Sequence, residues 1–187
     1  MKTILVVDDE PMIRRQVIDV LKNYGFGTFL EAGTGTEAVR LAETREPLLI
    51  VMDVSMPEMD GITAAEKIGR KSPVPVVLLT ANADLETIER ARNAGVMNYL
   101  VKPFRDEQLY PVVDLALHRF IEVAALKDQV AELKATLESR KQIEKAKGAL
   151  MRQGLSEGEA YRKMQKLAMD KRKSLKEVAD AILLMEG

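Results

Sequence analysis

Over the first 105 residues, short runs of consecutive apolar positions alternate with stretches of helical periodicity. The apolar runs lie at 4–7, 28–32, 48–52, 76–79 and 97–101, and helical patterns follow the first three at 12–21, 37–42 and 62–68. Runs that are apolar at every position, not at every second one, predict parallel strands covered on both faces. Five such strands alternating with helices predict an α/β doubly wound five-stranded parallel sheet of the flavodoxin-like kind. Ligands of such sheets bind at the carboxyl ends of the strands, near the switch point in strand order.

From Pro111 onward the pattern is helical, without a clear break until Gly148 and Gly154. Val123, Leu126, Val130, Leu133 and Leu137 step by 3, 4, 3 and 4, the spacing of a coiled-coil seam about two heptads long. Such a seam serves a dimer or a neighbouring element, and one amphipathic helix packing within its own chain fits the spacing equally. Ser156 with Glu159, and Ser174 with Glu177, are capping-box pairs that start two further helices. The expected organisation is an α/β domain at 1–120, a helical linker or coiled coil at 112–138, and a small three-helix bundle at 133–187. Ile143, Leu150, Leu167, Val178 and Ile182 read as the core of that bundle, with Met151, Met164 and Met169 as core or gap fillers.

Composition narrows the chemistry. The chain has 47% hydrophobic and 30% charged residues and no apolar run of the roughly 18 residues a membrane span needs, so no membrane partner is expected. The start lacks the features of a signal peptide, and the expected location is cytoplasmic. Zero Cys excludes disulfides and thiolate zinc sites, and one His, His118, argues against His-rich metal sites and Ser-His catalysis. Carboxylates, hydroxyls and Lys remain. Charge is unevenly distributed: residues 1–125 carry 14 basic and 19 acidic side chains, residues 126–187 carry 14 and 10, and 140–176 alone carry 12 and 4. The C-terminal part therefore suits a polyanion, although a solvated helical surface has the same composition.

Asp8 and Asp9 follow the first strand, Asp53 the third, Thr80 the fourth and Lys102 the fifth. Three carboxylates converging at one end of a sheet repel one another, and a hard cation relieves that repulsion. Mg²⁺ takes one or two carboxylates plus waters and a phosphate oxygen, so these acids read as a Mg²⁺ site. Lys102 offers a positive charge and Thr80 a hydroxyl donor to a phosphoryl group on Asp53. Taken singly, Asp8 and Asp9 read equally well as a polar strand end or helix cap.

The motifs VVDDEP (6–11), MDVSMPEMDG (52–61), LLTA (78–81) and YLVKPF (99–104) resemble the receiver domain of two-component response regulators over residues 1–120. The resemblance implies Asp53 as phosphoacceptor, Asp9 and Asp53 as Mg²⁺ ligands with Asp8 alongside, and the Ser55 backbone carbonyl as a further ligand. It implies phosphoryl contacts from Thr80 and Lys102, a cis Lys102-Pro103 bond, an aromatic switch at Tyr99, and a sensor histidine kinase as phosphoryl donor. Apart from its own Mg²⁺-dependent phosphorylation and dephosphorylation, such a chain is not expected to be an enzyme.

The segment SRKQIEKAKGALMRQGLSEGEAYRKMQKLA (139–168) with LKEVADAI (175–182) resembles the ANTAR output domain of transcription antitermination regulators. The resemblance implies binding to RNA hairpins of a leader transcript. Arg140, Lys145, Lys147, Arg152, Lys163 and Lys166 then offer phosphate-binding charge and Tyr161 a base platform. Gly148, with Ala146 and Ala149, offers close approach to the helix, although helix packing explains the two alanines as well. A DNA-binding helix-turn-helix and a protein-interaction module are the rival outputs. The last helix is mostly acidic and apolar, which suits a base-reading helix poorly. The expected mechanism is homodimerisation on phosphorylation, presenting two helical domains to two hairpins.

Overall fold

The computed structural model describes residues 3–82 and 84–186, which fall into two compact units, Met1–Ala124 and Ala125–Gly187. In the first unit, strands β1 (Thr3–Val7), β2 (Thr28–Ala32), β3 (Leu49–Asp53), β4 (Val76–Thr80) and β5 (Asn98–Val101) form one parallel sheet in the order β2-β1-β3-β4-β5. Helices α1 (Pro11–Asn23), α2 (Gly35–Arg45), α3 (Gly61–Lys71) and α4 (Leu85–Asn93) connect them. β3 and β4 are buried at every position, which is why their sequences are continuously apolar up to Asp53 and Thr80. Alternate side chains of each strand enter two separate cores. Ile4, Val6, Leu49, Val51, Val77 and Leu79 pack on α1, while Leu5, Val7, Ile50, Met52 and Leu78 face α2 and α3.

The sequence places a helix from Pro111, whereas helix α5 (Asp106–Arg152) starts five residues earlier and keeps Pro111 inside it. Proline here removes one intrahelical hydrogen bond in the second turn. Burial of Leu109, Val113 and Ala116 in the first core holds the helix across that gap. α5 also runs without interruption through the expected linker, so one helix contributes to both units. From Ile121 to Glu138 every residue is exposed. The seam residues Val123, Leu126, Val130, Leu133 and Leu137 are 37–64% exposed and lie in no intrachain core among the described residues, which disfavours packing within the chain.

The second unit closes around the last turns of α5 with α6 (Glu157–Lys171) and α7 (Leu175–Glu186). Both capping boxes form. The Ser156 hydroxyl accepts from the Glu159 N–H while Glu159 accepts from the Ser156 N–H, and Ser174 with Glu177 repeats the exchange. Ala146, Leu150, Ala160, Met164, Val178 and Ala179 form the core, with Ile143, Leu167 and Ile182 partly buried against it. Met151 and Met169 correct the expectation that all three methionines are core or gap fillers: they are 42% and 79% exposed. A core built around three alanines brings the helices close and leaves room for one long side chain, Met164.

Candidate functional site: a carboxylate cluster and a basic helical surface

Strand register brings the acids together. Val7 pairs with Met52, so Asp8 and Asp53, each one residue further on, emerge side by side at the switch point between β1 and β3. Oxygens of Asp8, Asp9 and Asp53 lie within 4.8 Å of one another. Asp8 is fully buried and Asp53 nearly so, while Asp9 faces solvent. The Lys102 ammonium reaches in from beyond β5 and sits 2.7 Å from Asp8 Oδ2 and 2.7 Å from Asp53 Oδ1. The Lys102-Pro103 bond is cis, as the motif implies.

Burial pushes the Asp53 carboxyl above its ordinary pKa and the Asp8 charge adds to that rise, outweighing the Lys102 ammonium and the Ser55 N–H, which both pull it down. Burial likewise disfavours the charged form of Lys102, yet its hydrogen bonds to Asp53 and Asp8 leave its pKa raised. One cation thus serves two carboxylates. The donor set suits a hard divalent cation, since it comprises three carboxylates, one of them open to water, beside the exposed Ser55.

Neither Thr80 nor Tyr99 hydrogen-bonds to Asp53. The Thr80 hydroxyl donates to the Asn82 carbonyl at 2.6 Å, and Tyr99 is 39% exposed. Both line a cleft with Val54, Leu78, Asn82, Thr87, Ile88 and Ala91, beneath α4.

Three supports of the site were not singled out from the sequence. Arg14 on α1 donates to the Asp8 carbonyl at 2.8 Å and to Glu31 Oε2 at 2.9 Å, tying the Asp8 turn to the end of β2. Asp60 caps α3 through the N–H groups of Ile62 and Thr63, both at 3.0 Å, and also binds Arg90 of α4. Burial raises the Asp60 pKa, but Thr63 and Arg90 together leave it lowered. Its place before a helix is a signal that could have found the capping role, whereas nothing in the spacing points to its partner on α4. Gly61 packs its Cα against the Asp53 carbonyl so closely that a Cβ would overlap that oxygen.

In the second unit Arg140, Lys145, Arg152, Lys163 and Lys166 are exposed, and Tyr161 is 40% exposed. Lys147 is placed differently. Its side chain is 13% exposed and its ammonium lies 2.8 Å from both Glu144 and Glu157, joining α5 to the start of α6. Both partners raise its pKa. Ala146 and Ala149 are fully buried, which resolves their two readings in favour of helix packing, while Gly148 is half-buried on the outer side.

Residues 4–114 match the response regulator receiver domain and residues 131–183 match the ANTAR domain. The chain is a response regulator. It is 45% identical over 183 residues to the transcriptional regulatory protein PdtaR of Mycobacterium tuberculosis, covering 97% of this chain and 89% of that protein. The receiver alone is similar to the chemotaxis protein CheY of Bacillus subtilis, 33% identical over 116 residues, covering 62% of this chain and 97% of that one. Among solved structures, chemotaxis protein CheY4 of Vibrio cholerae aligns with a TM-score of 0.57 at 30% identity, covering 61% of this chain and 97% of its own. The response regulator therefore joins a receiver with an acidic pocket at Asp8, Asp9 and Asp53 to an ANTAR domain. No helix among the described residues is long and apolar enough to cross a membrane.

Proposed function

We propose that this response regulator is phosphorylated on Asp53 by a sensor histidine kinase, dimerises, and binds two RNA hairpins of a leader transcript, causing transcription antitermination. The observation that carries the phosphoacceptor assignment is the Asp53 carboxylate held beside Asp8 by the Lys102 ammonium that bridges the two, at the switch point of the sheet. Asp53 attacks the phosphorus of a phosphohistidine; the new P–O bond forms as the P–N bond breaks and imidazole leaves. Transfer of this kind needs chiefly positioning and charge neutralisation. Asp9, Asp53 and the Ser55 carbonyl would hold Mg²⁺, with Asp8 alongside. When bound, the ion supplies positive charge to the clustered carboxylates and to the phosphoryl oxygens.

Lys102 then pairs with a phosphoryl oxygen, and the Thr80 hydroxyl exchanges the Asn82 carbonyl for another. Tyr99 follows Thr80 into the cleft under α4, altering the α4 and β5 surface. The exposed seam of α5 favours dimerisation because its apolar residues join no core among the described residues. Two ANTAR domains on one dimer raise avidity for a pair of hairpins without new contacts. The six exposed basic and aromatic positions Arg140, Lys145, Arg152, Tyr161, Lys163 and Lys166, with the half-buried Gly148 contributing backbone, are the proposed RNA surface. Lys147 serves it by holding α6 in place.

The test is a gel shift of hairpin RNA against duplex DNA, with and without acetyl phosphate and Mg²⁺, alongside sedimentation in both states. RNA preference that rises with phosphorylation and a heavier phosphorylated species are expected. Preference for duplex DNA overturns the output, and full labelling of Asp53→Ala overturns the phosphoacceptor.

A further inference from the structure

Of the four helices that connect the strands, α4 has the weakest apolar anchor. α1, α2 and α3 each bury several residues, whereas α4 buries Ala91 alone. An alanine removes little apolar surface from water, so burial holds this helix weakly. The cleft beneath it, lined by Thr80, Ile88 and Tyr99 among others, has room for about one water and not for a phenol ring. Entry of Tyr99 into that cleft therefore requires α4 to lift.

An ion pair supplies what burial does not. Arg90 Nη2 on α4 lies 3.2 Å from both carboxylate oxygens of Asp60. Asp60 is itself held on α3: Oδ1 accepts from the Ile62 and Thr63 N–H groups, and Oδ2 accepts from the Thr63 hydroxyl at 2.7 Å. The next residue is Gly61, which packs against the Asp53 carbonyl, so Asp60 is fixed to the strand end that carries Asp53. Glu66, the other acid lining the groove between α3 and α4, is engaged by Arg70 at 2.6 Å, which leaves Arg90 to Asp60.

We infer that the Arg90–Asp60 pair tethers α4 in its unphosphorylated position and breaks when α4 lifts, so that it opposes activation. This role rests on the movement of Thr80 and Tyr99 proposed above. A contact made in one state and lost in the other shifts the equilibrium between them by its own strength. Both side chains are partly exposed, at 49% and 36%, so that strength is a factor of about 2–5 and falls as salt screens it. A tether of that size tunes the response without blocking it.

Arg90→Gln and Asp60→Asn test the tether from its two ends in the full chain. Asparagine keeps the helix cap, its amide oxygen accepting from Ile62 and Thr63, and removes the charge that Arg90 answers. In the unphosphorylated protein each variant makes the α4 amides exchange hydrogen about 2–5 times faster, and each takes label from acetyl phosphate and Mg²⁺ faster by a similar factor. Because both substitutions remove one shared contact, the double variant matches either single one. At about 1 M salt, where the screening length is about 3 Å, wild type approaches the variants. Unchanged exchange, unchanged labelling, or single effects that multiply in the double variant each overturn the tether. Wild-type protein that takes no label at all overturns the phosphoacceptor reading, and the coupling with it, and is recognised in the labelling experiment before any variant is compared.

Discussion

Gly61 is the first residue of α3, and replacing it with alanine sets two effects against each other. In favour of alanine is its higher helix propensity, worth up to about 1 kcal/mol within a helix and less at its first position. Against it is the added Cβ, which would overlap the Asp53 carbonyl oxygen and lie 3.2 Å from Met52 Cγ. Neither neighbour has freedom to yield. Met52 is fully buried, and the chain beyond Asp53 is held by Val54 N–H to Leu79 O at 2.8 Å and Gly61 N–H to Val54 O at 2.9 Å. Overpacking of this kind costs roughly 1–3 kcal/mol, so the clash wins. For a domain of receiver size the loss corresponds to a fall in melting temperature on the order of 5–10 °C. Gly69 in the same helix is the matched control: it is exposed, and its Cβ would meet only Ala94 O at 3.9 Å. Gly69→Ala should raise the same transition by about 4 °C. Calorimetry of the two variants reads the stability, and acetyl phosphate labelling reads the site. Displacing the Asp53 main chain should slow labelling of Gly61→Ala by roughly tenfold to a hundredfold, because phosphoryl transfer depends on position. A Gly61→Ala protein that melts at or above wild type and labels normally would refute the claim that α3 and the phosphoacceptor strand require this approach.

Arg14→Met releases the Asp8 turn and should weaken Mg²⁺ binding roughly tenfold in calorimetric titration, with the labelling rate at saturating Mg²⁺ little changed; unaltered affinity would show that the turn holds itself. Glu177 is held at a pKa of about 2, below its ordinary 4.5, by Lys173 and by Ser174. A depressed carboxylate contributes stability that is complete above the unfolded pKa and disappears as pH falls through the folded one. Acid unfolding of the C-terminal unit should therefore flatten between about pH 4.5 and 2 in Glu177→Gln, and an unchanged acid limb in circular dichroism contradicts that role. Met164→Ala, which empties a fully buried site, should cost the C-terminal unit about 2–5 kcal/mol in urea unfolding, while Met169→Ala at 79% exposure stays within about 0.5 kcal/mol of wild type.

Much of this protein is local chemistry written along the chain. Buried parallel strands demand apolar residues at consecutive positions, so 49–52 and 76–79 could be recognised as strands without knowing what covers them. Capping boxes are three residues long, so the starts of α6 and α7 at Ser156 and Ser174 were equally legible. Asp8, Asp53, Thr80 and Lys102 stood out because each follows a strand, and parallel strands leave by the same edge of a sheet. What that edge does with them required coordinates. Lys102 and Asp8 are 94 residues apart, and no periodicity shows that one ammonium bridges two carboxylates. Arg14 with Glu31 and Asp60 with Arg90 are likewise pairs between separate elements, whose meeting follows from helix packing on the sheet and leaves no mark on spacing.

The bundle shows the same division. Its basic composition was plain, but composition counts Lys147 as one more positive charge, while the fold places it between Glu144 and Glu157 and removes it from the outer surface. Helical periodicity ranked Met151, Met164 and Met169 alike, and only the closeness of alanine-lined helices decided that Met164 alone is enclosed. Sequence by itself determined the elements, their order and the residues capable of phosphoryl chemistry, because these depend on neighbours within a few positions. Tertiary structure decided which charges neutralise one another and which face is left for a partner, because those depend on distances across elements.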